Sequence, residues 1–262
     1  MKPYLAILSA RFRLLLQYRA AAAAGFGCQL FWGLIRMMIF QAFFENATDS
    51  MPMNIEQVVT YVWLGQAFIL LIPFRMDRDL EEKIRTGHVA YELLRPVDLY
   101  CLIFSRIVAA RVAPVMLRAV PMLIVATLAG WIRWPGPASI AAGTVAIGGA
   151  MLLAASLSAL ASISMFWTIS GRGLMVVLGP LMWLLSGIMV PLPLFPESLQ
   201  PLLNALPYRG LIDIPLRTIA GHIPPTGIGW VLLHQLAWTS GLVVLGRWML
   251  SRGLRRVVVQ GG

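Results

Sequence analysis

RMDRDLEEKIRTGHVAYELLRPVD, residues 75–98, carries five of the 21 basic and six of the 11 acidic residues of a 262-residue chain. Hydrophobic runs long enough to cross a bilayer flank it on both sides. A chain with so few charges, and so many of them in one loop, presents that loop as a docking surface to something in water. Within it, Asp77 or Asp79 can cap a short helix, since a carboxylate accepts from the unpaired amides of a first turn. Asp79/Lys83 and Glu81/Arg85 lie four apart with the acid first, the favourable order, each pair worth about 0.2–0.5 kcal/mol. Thr86–Gly87 then supplies a stop, because glycine takes the left-handed conformation past a helix end. Such a helix is marginal unless it packs on something; the alternative is a solvated helix that merely joins two spans. The following VAYELLRPVDLY is too apolar for a free connector and predicts seating against protein or membrane.

Composition sets the class. Hydrophobic residues make up 59% and charged residues 12%, with a mean hydropathy of +0.78, against about 45–50% and 25% in soluble domains. This is a membrane composition, and the chain reads as one integral all-α domain over residues 1–262. Six stretches suffice to cross about 30 Å of hydrocarbon: 20–44, 56–74, 106–130, 138–169, 174–192 and 227–249. Cys28 and Cys101, in apolar surroundings, read as buried thiols rather than a disulfide or metal framework. The net charge of +10 does not imply nucleic acid here, because the bases cluster beside apolar runs.

Orientation follows from the basic residues. Fourteen Lys and Arg fall in the N-terminal stretch, the charged loop, the link after the fourth span and the C-terminal stretch, against three (Arg133, Arg209, Arg217) in the alternate set. The asymmetry predicts a multi-pass protein with both termini and residues 75–98 in the cytoplasm. Residues 1–19 read as an interfacial helix, with Tyr4, Leu8, Phe12 and Leu15 on one face, or as a basic flank that orients the first span; a cleavable leader does not fit. Trp131, Trp134 and Trp230 mark outer ends of spans. Ala154, Ser158 and Ser162 give the fourth span a small-residue face. Residues 191–225 are too apolar for a solvated loop and too rich in proline for a span, which predicts short helices dipping into the outer leaflet and turning back.

In order along the chain, these elements resemble the permease subunits of ABC-2 type exporters. More narrowly they resemble the bacterial subgroup whose first cytoplasmic loop reads like RTGHVAYELLRPVDLY after an acidic-basic helix, with YVWLGQAF in the second span and SGIMVPLPLFPESLQPLLNALPYRGLIDIP from the fifth span outward. The resemblance implies a bacterial inner-membrane protein with the ABC-2 exporter fold. It implies that the first-loop helix fits a groove on an ATP-binding subunit, which assigns coupling to Asp77, Arg78, Asp79, Glu81, Glu82, Lys83 and Arg85. It also implies a smaller second contact at residues 170–173, and paired reentrant helices in 191–225 that close the pathway outside.

The chain contains no G-x-x-x-x-G-K-[ST], and its only lysines, Lys2 and Lys83, follow no glycine-rich loop. ATP and its magnesium are therefore expected on partner subunits, two per complex, beside a second six-span permease, identical or paralogous. An intramembrane enzyme would want converging His, Asp or Glu, and a proton-coupled carrier would want membrane carboxylates and repeats; neither pattern is present. Arg36 and Arg118 remain as a possible intramembrane charge site, with Arg106 and Arg111 near enough to the inner surface to snorkel. Aromatic and soft side chains, Phe31, Trp32, Met38, Tyr61, Trp63, Met182 and Trp183, are candidates for the substrate pathway of a small amphiphile; lipid-facing packing is the competing role. Export of a lipid or lipid-linked glycan is the alternative.

Overall fold

Ten consecutive buried residues, Val58–Ala67, place the second helix at the centre of the molecule. The computed structural model describes residues 19–47, 51–73, 78–94, 96–168 and 172–255. Among them the secondary structure is helical throughout, with no strand. The long elements are α1 (Arg19–Glu45), α2 (Ile55–Phe68), α5 (Leu99–Leu128), α6 (Pro137–Ile163), α8 (Arg172–Leu185) and α11 (Ile228–Leu254). Shorter ones are α3 (Arg78–Arg85), α4 (Val89–Leu93), α7 (Met165–Thr168), α9 (Gln200–Ala205) and α10 (Asp213–Ile219).

Local chemistry sets several boundaries. Asn54 and Gln57 form a reciprocal capping box at the start of α2, the Gln57 amide donating to Asn54 Oδ1 at 2.8 Å. Asp98 caps α5, accepting from the Cys101 amide at 2.7 Å. α5 continues as a helix through both Pro114 and Pro121. Gly87, at φ +75°, ends α3 where the sequence predicts its stop.

Among the described residues, four segments are long and apolar enough to cross a membrane: Ala23–Glu45, Leu99–Leu128, Pro137–Thr168 and Pro225–Leu254. The second and fifth expected spans are shorter, apolar over Ile55–Leu71 and Met175–Leu185. The reasons are local. α2 tightens into a 3₁₀ turn at Ile69–Leu71, and α8, which contains Pro180, ends before Gly187 at φ +85°. The interfacial helix expected over residues 1–19 lies almost wholly outside the described residues, Arg19 already being the first residue of α1.

Packing builds two main cores. One surrounds α2 with α1, α5, α6 and the Leu211–Ala220 stretch, and includes Tyr61, Trp63, Leu153, Leu211 and Leu216. The other lies between α3, α4, the start of α5, α7 and the end of α11, around Leu80, Val89, Ile103, Phe166 and Leu250. Trp131 stacks on Trp63 with ring centroids 4.4 Å apart. Ala154, Ser158 and Ser162 are buried, as the small-residue face predicts. Gln235 of α11, fully buried, donates to the carbonyls of Ala146 and Gly210, both at 2.9 Å. The cysteines are free, but Cys28 faces outward and Cys101 is half-buried, because helix α1 turns Cys28 to its exposed side.

Residues 191–225 fold back into the bundle as short helices. α10 packs on α6 and α2, with Asp213, Ile214 and Leu216 wholly buried. A Cβ at Gly187 would stand 2.7 Å from the Tyr61 hydroxyl and 2.9 Å from Asp213 Cβ, in a backbone conformation that side chains rarely adopt. Gly187→Ala is therefore expected to destabilise the chain by about 1–3 kcal/mol. Gly27→Ala, at a helical position with open space around it, should be neutral or stabilise by about 0.5–1 kcal/mol. Thermal unfolding of both variants in detergent checks the contrast.

Candidate functional site

The charged loop becomes a docked element through an apolar stripe and a buried carboxylate. Leu80 and Ile84, four apart on α3, face the core formed by α5, α7 and α11; Leu80 is buried and Ile84 half-buried. Val89 of α4 is wholly buried beside them, whereas Tyr91 and Leu94 are exposed. The VAYELLRPVD stretch thus seats against protein through Val89 and Glu92.

Four side chains lock this arrangement. Lys83 Nζ donates to Asp79 Oδ2 at 2.9 Å and to Glu92 Oε1 at 2.8 Å. Arg106 of α5 donates to Glu92 Oε1 at 3.1 Å and to Asp79 Oδ2 at 3.4 Å. The Glu92 side chain is only 5% exposed. Burial alone would push its carboxyl up, but hydrogen bonds from Lys83 and Arg106 outweigh that and hold it below its ordinary 4.5. Arg247 of α11 closes the same end, 3.5 Å from Asp98 and with its guanidinium 5.2 Å from the Tyr100 ring centroid.

The sequence-predicted coupling residues divide accordingly. Asp79 and Lys83 form the expected pair and also reach across to α4 and α5. Glu82 is exposed and Glu81 half-buried on α3. Arg78 and Arg85 are its terminal residues. Asp77 lies outside the described residues, as do residues 170 and 171 of the expected second contact, where Arg172 opens α8.

Glu92, Arg106 and Arg111 hold positions that the sequence reading does not give them. The guanidinium groups of Arg106 and Arg111 are held by protein partners. Arg106 binds the carboxylates above, and Arg111 donates to the Leu71 carbonyl at 3.2 Å and to the Ser158 hydroxyl. Residues five apart on a helix point about 140° apart, so the spacing of Arg106 and Arg111 on α5 gave no signal of these partners.

The remaining predicted residues do not gather into one site. Arg36 donates to Met189 Sδ at 2.9 Å. The Arg118 guanidinium packs over Gly25, so that a Cβ there would lie 2.5 Å from its Cζ. Arg36 and Gly25 are eleven residues apart on α1, about 16 Å along a helix, so the two arginines do not make a common charge site. Tyr61, Trp63 and Met182 are buried in the core and Trp183 is half-buried against it, whereas Phe31, Trp32 and Met38 are exposed on α1. A bilayer removes the contrast that would separate these roles by hydrophobicity alone.

At the far end, Asp213 is a second buried hub. Its carboxylate accepts from Arg217 Nη1 at 3.0 Å and the Leu192 amide at 3.0 Å, with the Tyr61 hydroxyl at 3.5 Å. Its own amide donates to the Ser186 carbonyl at 3.0 Å, and Tyr61 also donates to the Gly187 carbonyl at 2.8 Å. One acid inside the apolar run LIDIP was the only sequence signal for it.

The described residues thus form an all-helical membrane-protein architecture, with a charged helix docked at one end and a folded-back segment at the other. Among the described residues, no group of three or more His, Cys, Asp or Glu is placed to hold a metal. The chain matches the family described as ABC-2 family transporter protein over residues 30–261 and belongs to that family. No curated protein matches it.

Because the Glu92 carboxyl is depressed in the folded chain, its contribution is present above its unfolded value and is lost as pH falls through the folded one. Glu92→Gln is expected to reduce stability at neutral pH by about 1–3 kcal/mol. It should also flatten the loss of stability expected of the wild type below the ordinary carboxyl value of 4.5. Unfolding curves at stepped pH measure both, and an unaltered slope in the variant would remove Glu92 as the pin.

Proposed function

We propose that this chain is the membrane-spanning permease subunit of an ATP-driven exporter. ATP would be bound and hydrolysed by two separate ATP-binding subunits, each docking on α3 of one of two permeases. The observation that carries the reading is the placement of α3. Leu80 and Ile84 fix it to the bundle, Lys83 and Asp79 tie it to α4 and α5, and Glu82 is left exposed for a partner. A helix held on one side and charged on the other suits a part that passes a partner's movement into spans. Membership of the ABC-2 family supports the same assignment.

In this reading α2 and α8 complete six spans. Both termini and α3 face the cytoplasm of a bacterial inner membrane, consistent with the bias of basic residues. Residues 191–225 then form the outer reentrant closure. The cargo is a small amphiphilic or drug-like compound. The exposed Phe31, Trp32 and Met38 of α1 would meet it at the junction with the second permease, burying its apolar area and stacking on any cationic group.

Glu82→Ala combined with Arg85→Ala leaves Leu80 and Ile84 in place. In the complex with the ATP-binding subunit, this double variant is expected to insert normally but to lose coupling between ATP turnover and efflux of a hydrophobic cationic dye. Retention of both dye efflux and dye-stimulated turnover would refute the assignment of α3. The purified chain alone is expected to hydrolyse no ATP, and turnover by it without a copurified subunit would refute the division of labour.

A further inference from the structure

The end of the bundle remote from α3 contains a cleft of about 380 Å³, whose lining includes Glu197, Gln200, Asn204, Arg209, Arg217 and Trp230. Its two arginines are held differently. Arg217 donates through Nη1 to Asp213, which matches its charge. Arg209, only 9% exposed, donates through Nη1 to the neutral Asn204 side chain and lies 5.3 Å from the Trp230 ring centroid. Among the described residues no carboxylate forms an ion pair with Arg209, and the Nε of both arginines is buried without an acceptor.

A buried guanidinium is costly unless a counter-charge and acceptors satisfy it. Here both guanidinium groups are anchored by Nη1 alone, and both border one cavity. The planar fork of arginine matches the paired oxygens of a phosphate better than any other common side chain does. We propose that this cleft binds a phosphate group, with Arg209 supplying the unmatched charge and Arg217 a second donor. Trp230 covers the Arg209 guanidinium and Asn204 orients it. Glu197, exposed on the lining, would also suit a phosphate diester that carries an amine. The same chemistry is offered by a phospholipid headgroup and by a free phosphate, and the two sources are separable.

The test uses the full-length chain in a non-ionic, phosphate-free detergent buffer, with no ATP-binding subunit present, so its outcome is independent of the permease reading. Unfolding temperature is followed against dihexanoyl phosphatidylethanolamine below its micelle concentration, and separately against inorganic phosphate. Wild type is expected to show a saturable rise with at least one probe. Arg209→Gln should weaken the apparent affinity about tenfold, the loss of roughly one charge-assisted hydrogen bond. Asn204→Asp places a carboxylate against Arg209 in the same shape, so it should fold at least as stably as wild type and yet lose the response. Saturation by the lipid but not by phosphate assigns the site to a headgroup; saturation by phosphate with no gain from the acyl chains assigns it to the free anion. No saturable rise with either probe, or an undiminished rise in Asn204→Asp, overturns the proposal.

Discussion

The Glu92 carboxylate, buried between Lys83 and Arg106, constrains the charged end of the molecule. A carboxylate this deeply buried must keep both cationic partners, since losing one leaves an uncompensated charge in an apolar setting. Lys83 belongs to α3, Glu92 to α4 and Arg106 to α5, so one acid fixes three helices relative to each other. Leu80 and Ile84 add apolar burial on the same face of α3, and together they turn a helix that would be marginal alone into a seated element.

The far end uses the same device with the charges arranged otherwise. Asp213 is buried and satisfied by Arg217, the Leu192 amide and the Tyr61 hydroxyl. It thereby ties the folded-back segment to α2 and to the turn after α8. The tightness of that join is visible in Gly187, where no side chain fits between Tyr61 and Asp213. Both ends are thus organised by a buried acid whose partners come from separate parts of the chain, while the middle is held by side-chain packing and a few polar crossings such as Gln235.

Much of this was legible in the sequence because it is local. The helix boundaries at Arg19–Glu45 and Ile228–Leu254 follow apolar runs, and α3 ends at the glycine that its sequence demands. The long-range pairings were not legible. Arg106 meets Glu92 across fourteen residues and Asp79 across twenty-seven, at separations that no helical period marks. The aromatic residues fail for another reason. Trp63 and Trp32 are equally apolar, but one is wholly buried against Trp131 and the other is exposed. In a lipid-facing chain hydrophobicity does not report which side is inside. Packing geometry decides it, and Gly33 shows how: a Cβ there would lie 2.7 Å from the Trp63 ring, so α1 approaches α2 at a position that only the missing side chain permits.

α5 connects the two regimes. Its Arg106 holds α3 and α4, and Arg111, five residues further along the same helix, donates to the Leu71 carbonyl at the end of α2 and to Ser158 of α6. The proline-containing upper half of α5 then packs around Val115, Ala119 and Met122 in the core that surrounds α2. On the proposed reading, a displacement of α3 by a partner would pass through Glu92 and Arg106 to the base of α5. From there Arg111, bonded to the Leu71 carbonyl and to Ser158, would divide it between α2 and α6. α2 carries Tyr61, and Tyr61 contacts both the Gly187 carbonyl and Asp213. On the proposed reading this chain of polar contacts, rather than the lipid-facing surface, is the route by which ATP-driven closure at one end of the bundle reaches the folded-back segment at the other.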